Sequence, residues 1–202
     1  MSKTTIPTGG LADDAVDNTK LDLTSNYAFT GSITGASSLV KISNTTISSD
    51  VSEVDVEPSN FTDYKVYILI GNRIQASNDG VDVGLRIKDS AYLTSEYARM
   101  FNNSSTTGAG AILMNDNGLG NNTSGSVIYE DFSFQVTMFG FEANRRWRCF
   151  GQSSYGNTSS VKRGADFSGG NNDSDEITGV RVFPSAGDFK SGQITLYGLE
   201  TA

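Results

Sequence analysis

Alternation of apolar and polar residues is the main pattern in the chain after residue 37. In VDVGLRIK, the residues Val81, Val83, Leu85 and Ile87 alternate with polar or small ones. This period of two predicts a strand with one buried and one solvent-facing side. The apolar run Tyr64–Ile70 in YKVYILIGN predicts a central strand that is buried on both faces.

Further segments of strand-like pattern follow at a spacing of about 8 to 12 residues, which is typical of a sandwich. They are Ser38–Ile42, Val51–Val56, Tyr97–Phe101, Ala109–Met114, Ser126–Phe139, Arg145–Gln152, Ser160–Phe167, Ile177–Phe183 and Gln193–Leu199. Segments rich in Gly, Asn and Ser separate many of them, as turns and surface loops require. Helical periodicity is absent after Leu23. We therefore predict an all-β fold, an antiparallel β-sandwich of jelly-roll type.

The first part of the chain has a different pattern, in which apolar residues are isolated among polar ones. We expect an extended N-terminal attachment segment at residues 1–36, followed by the β-sandwich domain at 37–202. Such widely spaced apolar residues cannot close a core by themselves. We expect them to dock onto copies of the same chain or onto another protein, although the segment could also fold back on its own domain. The predicted anchoring residues are Ile6, Leu11, Val16, Leu21, Leu23 and Phe29.

Charge and composition exclude several classes of partner. The formal net charge is −8 and no long basic stretch occurs, which argues against a nucleic-acid partner. No apolar run approaches the roughly 20 residues of a membrane helix, and no signal-peptide pattern begins the chain. We therefore expect no membrane insertion and synthesis as a soluble cytoplasmic product. The single cysteine, Cys149, allows no intrachain disulfide, and its strand-like surroundings favour a buried thiol.

The residue types needed for most catalytic and metal sites are missing. Histidine is absent and a second cysteine is absent, which excludes a Ser-His-Asp triad and a thiolate zinc site. Paired carboxylates of a glycosidase could come from Glu130 with Asp131, or from Asp173, Asp175 and Glu176. Neighbouring strand residues point to opposite faces, and acidic loops are normally solvated. We therefore predict a non-enzymatic protein without a cofactor or metal.

The segment NNDSDE, residues 171–176, could supply oxygen ligands to calcium. It lacks the spacing and the terminal Glu of an EF-hand loop, so we favour a polar turn.

The motif RRWRCFG concentrates basic residues around the single tryptophan, Trp147. Strand alternation places Trp147 and Cys149 on one face and Arg146, Arg148 and Phe150 on the other. In one interpretation this is a ligand or subunit contact, where an aromatic ring stacks on a sugar or guanidinium groups bind carboxylates. In the other, which we favour, Trp147 fills the core and the arginines form ion pairs.

The C-terminal sequence ITGVRVFPSAGDFKSGQITLYGLE resembles the closing hairpin of jelly-roll domains in appendage proteins of tailed bacteriophages, of tail-fibre, collar and decoration type, similar to those of marine phages. In that group, I-T-G-hydrophobic leads through a Ser/Gly turn and a G-x-hydrophobic-x-x-G step to a last strand ending in L-Y-G. The matching residues here are Ile177, Thr178, Gly179, Gly187, Phe189, Gly192, Leu196, Tyr197 and Gly198.

Near the N-terminus, GGLADDAVDNTKLDL is similar to L-A-D-x-A-V-x-x-x-K-L units of phage fibres, and AFTGSITGA is similar to the link that precedes their globular heads. The resemblance implies a virion structural protein, usually a homotrimer, which is anchored by its N-terminus to tail, neck or capsid proteins. One such unit indicates a short appendage or adaptor. The alternatives are a carbohydrate-binding module that recognises host-surface glycan and, less favoured, a polysaccharide-cleaving spike.

Overall fold

A computed structural model describes residues 39–59, 61–101, 104–115, 131–158, 161–173 and 175–199. The predicted attachment segment 1–36 lies outside these residues, so its boundary and its anchoring role stay predictions. The same holds for the anchors Ile6, Leu11, Val16, Leu21, Leu23 and Phe29.

All regular secondary structure in the described ranges is β-strand. The strands are β1 Leu39–Ile47, β2 Val54–Val56, β3 Val66–Ala76, β4 Val83–Lys88, β5 Tyr97–Phe101, β6 Ser104–Ala109, β7 Ile112–Leu113, β8 Phe132–Phe139, β9 Arg148–Gly156, β10 Lys162–Asn171, β11 Gly179–Pro184 and β12 Phe189–Leu199.

The strands form two antiparallel sheets whose order identifies the topology. The larger sheet has the order β1-β12-β3-β8-β9-β10-β5-β6, and the smaller one has the order β2-β11-β4-β7. Without β5, β6, β9 and β10, the remaining eight strands form two sets of four, β1-β12-β3-β8 in the larger sheet and β2-β11-β4-β7 in the smaller one. This is the double Greek key of a jelly roll. The predicted all-β fold of jelly-roll type is therefore confirmed, and the four other strands widen one sheet beyond β8.

The core lies between the two sheets. On β4, Val83, Leu85 and Ile87 are completely buried, as the alternation predicts. On β3, Tyr67 and Leu69 are completely buried against them, and all five side chains belong to one continuous apolar cluster. Burial of such side chains contributes about 1.5 to 3 kcal/mol each, which makes this layer the main stabilising element.

The prediction that the run Tyr64–Ile70 is buried on both faces is wrong. Strand β3 begins at Val66, and its first six residues alternate between half-buried and buried. The half-buried side chains, Val66, Ile68 and Ile70, lie on the outer face of the larger sheet. A two-layer sandwich covers one face of each sheet, and no described segment packs over this outer face.

The buried side-chain amide of Asn115 is hydrogen-bonded to the backbone at the start of β4. Asn115, which follows β7, has no exposed surface. Its Oδ1 accepts a hydrogen bond from the Val83 backbone N–H at 2.5 Å, and its Nδ2 donates to the Val81 carbonyl at 3.2 Å. The Asn115 side chain thus takes the place that a neighbouring strand would have beside these two backbone groups.

Candidate functional site

The outer face of the larger sheet collects polar side chains from strands that are distant in sequence. Gln135 on β8 lies opposite Gln152 on β9, which lies opposite Asp166 on β10. Directly opposite residues of antiparallel strands share one face, so these three planar polar groups form a row across the sheet. A second row on the same face crosses β8, β9, β10 and β5. It consists of Thr137, Phe150, Ser168 and Met100.

These two rows line a depression of about 600 Å³, which we call the outer hollow. Towards β3 the hollow continues into a depression that shares Gln135, Gln152 and Asp166 with it. Towards β5 it continues into another that shares Met100, Phe150 and Ser168. The three depressions therefore form one continuous trough on strands β3, β8, β9, β10 and β5.

Phe150 is the main apolar group of the hollow. Its side chain is 55% exposed, and Met100 across from it is 48% exposed. The Phe139 ring lies beside the Phe150 ring in a stacked arrangement, with the centroids 5.9 Å apart. Phe139 thereby supports one edge of the ring while the remainder faces solvent. An exposed aromatic ring among polar groups is a common feature of ligand sites.

A hydrogen bond orients two of the planar groups. Gln152 Nε2 donates to Asp166 Oδ1 at 2.8 Å, which fixes the amide and the carboxylate side by side. Because Gln152 uses its amide nitrogen for this bond, its amide oxygen is directed away from the carboxylate. The hollow therefore presents acceptor groups in a defined orientation.

Arg148 borders the hollow at the β5 end and is held by backbone carbonyls. Its Nη1 donates to the Trp147 carbonyl at 2.8 Å and to the Asn171 carbonyl at 3.0 Å. The side chain crosses β10 over Gly170, where an added Cβ would come within 2.8 Å of Arg148 Cδ. A glycine at this position is therefore needed for Arg148 to lie flat on the sheet.

The predicted contact residues Arg146, Trp147 and Arg148 divide between surface and core. Arg146 is exposed on the segment before β9, and Arg148 lines the trough. Trp147 is completely buried and packs edge-to-face on Tyr97, with the centroids 6.5 Å apart. It therefore belongs to the core, as the favoured interpretation states, and cannot stack on a sugar. The exposed aromatic residue of this motif is Phe150.

Cys149 is also buried, with 4% of its surface exposed, as predicted. Burial raises the pKa of its thiol far above the ordinary value, which disfavours the reactive thiolate.

The outer face of the smaller sheet differs because its charges are paired with one another. Arg181 on β11 donates to both carboxylate oxygens of Asp55 at 2.7 and 2.8 Å and forms an ion pair with Glu53 at 2.8 Å. Its guanidinium lies 3.8 Å from the centre of the Tyr92 ring. The Tyr92 hydroxyl in turn donates to Glu57 at 2.7 Å. This arrangement stabilises the sheet.

Two carboxylates of the predicted acidic turn, Asp173 and Asp175, lie close to a third one, Asp89. Oxygens of Asp89, Asp173 and Asp175 lie within 4.8 Å of one another. Asp173 Oδ1 accepts a hydrogen bond from the Asp175 N–H at 2.9 Å, and Asp89 Oδ1 accepts one from the Ala91 N–H at 2.8 Å. The latter bond is the main reason that the pKa of Asp89 is lowered. These bonds are those of polar turns, the favoured interpretation, and we assign no metal to partly exposed carboxylates alone.

The other carboxylates considered for catalysis do not form a pair in the described part of the chain. Asp131 lies 3.6 Å from Arg73 Nε, Glu176 is exposed, and Glu130 lies outside the described residues. Within the described lining of the trough, Asp166 is the one carboxylate. A glycosidase typically uses two.

Comparison with models of known protein families gives no match, and comparison with curated proteins gives none either. Within the described ranges, the chain has no helix of the length and apolar character that crossing a membrane requires.

Proposed function

We propose that the chain is a structural protein of a tailed-bacteriophage virion, a short tail, neck or head appendage or adaptor. Its N-terminal segment attaches it to other virion proteins, and its β-sandwich is displayed outward. The observation that carries this proposal is the position of the closing motif in the fold. That motif forms β11, which lies between β2 and β4, and β12, which lies between β1 and β3. The residues of the resemblance therefore build one interior strand of each sheet.

Two glycines of the motif lie where the backbone adopts a conformation that favours glycine. Gly187 has φ 71° and Gly192 has φ 131°, values that other residues rarely adopt. A Cβ at Gly192 would lie 2.7 Å from Ile74 Cα on β3. The irregular pairing of β12 with β3 near Ser191 and Gln193 occurs at this point. The G-x-hydrophobic-x-x-G step thus supports the close approach of the last strand to β3.

The virion role is tested by locating the chain in particles. Antibodies against the full chain should label purified particles of the encoding phage at one site on the tail, neck or head in electron micrographs. Mass spectrometry of the same particles should detect the chain. Particles that contain none of it would refute the proposal.

The attachment role is tested by deleting residues 1–36. We expect the shortened chain to be left out of particles while its thermal unfolding temperature stays close to that of the full chain. The matched control is the full chain with Phe150→Ala, which alters the displayed face and should still be incorporated. Incorporation of the shortened chain would contradict the role of the segment.

The resemblance also implies a homotrimer. One chain has a mass of 21.5 kDa, and light scattering of the purified full chain should give three times this value. A monomer at micromolar concentration would contradict this part of the proposal.

Cleavage of polysaccharide is not part of the proposed function. It requires two carboxyl groups about 5 to 10 Å apart on either side of the sugar linkage. Asp166 stands without a second carboxylate in the described lining of the outer hollow. A reducing-sugar assay with dextran, laminarin or galactomannan should therefore show no product.

A further inference from the structure

We propose that the outer hollow binds a neutral carbohydrate chain, with the Phe150 ring against a sugar ring and Gln135, Gln152 and Asp166 bonded to sugar hydroxyls. This inference does not rest on the virion role, because it follows from the chemistry of one sheet face. It replaces the buried Trp147 with Phe150 as the aromatic group that contacts ligand.

The side chains of the hollow match the two kinds of surface that a sugar ring has. One face of a pyranose carries C–H groups, which pack on an aromatic ring, and its edge carries hydroxyls that both donate and accept hydrogen bonds. Phe150 offers a ring that is 55% exposed. The Gln152 amide and the Asp166 carboxylate, which lie 2.8 Å apart, offer planar groups next to it. A few oriented polar groups around an apolar contact are what a specific small-ligand site requires.

The trough carries little charge, which favours a neutral ligand over a polyanion. Its described lining contains one carboxylate, Asp166, and two arginines, Arg99 and Arg148, which leaves a formal charge of +1. Arg99 Nη1 donates to the Ala111 carbonyl at 3.3 Å. Arg148 already uses Nη1 for two backbone carbonyls, at 2.8 and 3.0 Å, which restrains it from reaching toward an anion. A polyanion would need several free Lys or Arg side chains on this face.

The dimensions of the trough favour an extended chain over a single sugar. From β8 to β5 the sheet spans three strand spacings, or about 14 Å at roughly 4.8 Å each. The depression towards β3 adds hydroxyl and amide groups from Ser133, Ser154 and Asn72. Gly164 leaves its part of the floor open, since the nearest atom to an added Cβ would be 3.6 Å away. More than one sugar ring can therefore lie along the surface.

Strand pairing and neighbouring side chains position the contact groups of the site, which reduces the entropy that binding must overcome. The contact groups lie on the paired strands β8, β9 and β10. The Gln152–Asp166 bond and the Phe139–Phe150 contact restrict the side chains further.

Binding is tested with the full chain by affinity electrophoresis in gels that contain dextran, laminarin or galactomannan, each neutral, or alginate, which is acidic. A microarray of neutral oligosaccharides extends the panel. We expect retardation by at least one neutral polysaccharide. Phe150→Ala should lower the association constant about tenfold, because it removes the aromatic contact. Gln152→Ala should lower it severalfold, because the carboxylate loses the group that orients it.

Val161→Ala is the matched control. Val161 is an exposed apolar residue, 47% accessible, in the connection between β9 and β10 and outside the trough. It should bind like the wild type, and all variants should keep the wild-type unfolding temperature because the altered side chains are exposed.

Three results would overturn the inference. They are a folded chain that binds no neutral member of the panel, binding that Phe150→Ala and Gln152→Ala both leave unchanged, and retardation by alginate alone. Each of these results leaves the labelling of particles unaffected, so the two proposals fail independently.

Discussion

Replacement of Asn115 by alanine tests how much the hydrogen bonds of its side chain stabilise the backbone at the start of β4. The Asn115 side chain is fully buried and bonds two backbone groups of one segment, the Val83 N–H and the Val81 carbonyl. Alanine removes both partners and supplies none. The two backbone groups then remain buried beside Met114, whose own N–H donates to the Val83 carbonyl.

The expected loss follows from these two bonds. A buried backbone group without a partner costs about 1 to 3 kcal/mol, so Asn115→Ala should lower the free energy of unfolding by about 2 to 6 kcal/mol. Asn115→Asp keeps an acceptor for Val83 but loses the donor to Val81 and buries a carboxylate. Burial raises the pKa of that carboxylate above its unfolded value, so the Asp variant should lose further stability as the pH rises above about 4.

Urea unfolding followed by tryptophan fluorescence measures the effect. Trp147 is the single tryptophan and is completely buried in the core, so its emission reports directly on unfolding of the sandwich. Asn72→Ala is the matched control, since Asn72 is exposed on β3 and should change stability by less than about 0.5 kcal/mol. A loss below about 1 kcal/mol for Asn115→Ala would refute the role of this amide as a strand substitute.

Three further predictions concern the ion pairs and the thiol. Arg181→Ala should lower stability by about 1 to 3 kcal/mol because it removes a bidentate pair with Asp55; a double-mutant cycle with Asp55→Ala that shows no coupling would contradict this. The pKa of Glu57 is lowered mainly by the Tyr92 hydroxyl and then by Lys88. Its contribution is therefore present above about pH 4.5 and lost as the pH falls, and Glu57→Gln should flatten the pH dependence of the urea midpoint between pH 6 and 3. Cys149 should react with a thiol reagent only when the chain is unfolded, and rapid reaction of the native protein would show that it is accessible.

Alternation along single strands explains what could be predicted from the sequence. It predicted the buried side of β4 correctly, and it separated Trp147 from Phe150 in RRWRCFG. It failed at Tyr64–Ile70, because half-buried apolar residues on an open sheet face look the same in sequence as fully buried ones. Strand β6 was missed because SSTTGA has no apolar alternation, and its backbone pairing with β5 places it in the sheet.

The outer hollow could not be predicted from the pattern of residues along any single strand. Gln135, Gln152 and Asp166 lie on three strands, and each belongs to a segment in which polar residues on the outer side are expected. Their meeting depends on the pairings β8–β9 and β9–β10. A shift of either pairing by one residue would turn every side chain of a strand to the other face. Pairing register is determined by turns and by the packing of the whole core, which alternation along one strand does not contain.

The position of β1 determines how the domain resists pulling. β1 is an edge strand, paired with β12 from Leu39 to Ile47. Tension that enters the domain at Leu39 and is opposed at Phe150 passes through the pairings β1–β12, β12–β3, β3–β8 and β8–β9 of one sheet. Hydrogen bonds of antiparallel strands run perpendicular to the strands. Tension along β1 is therefore shared by many bonds at once, while tension that peels β1 sideways breaks them one after another, so the domain is mechanically strong in one direction and weak in the other.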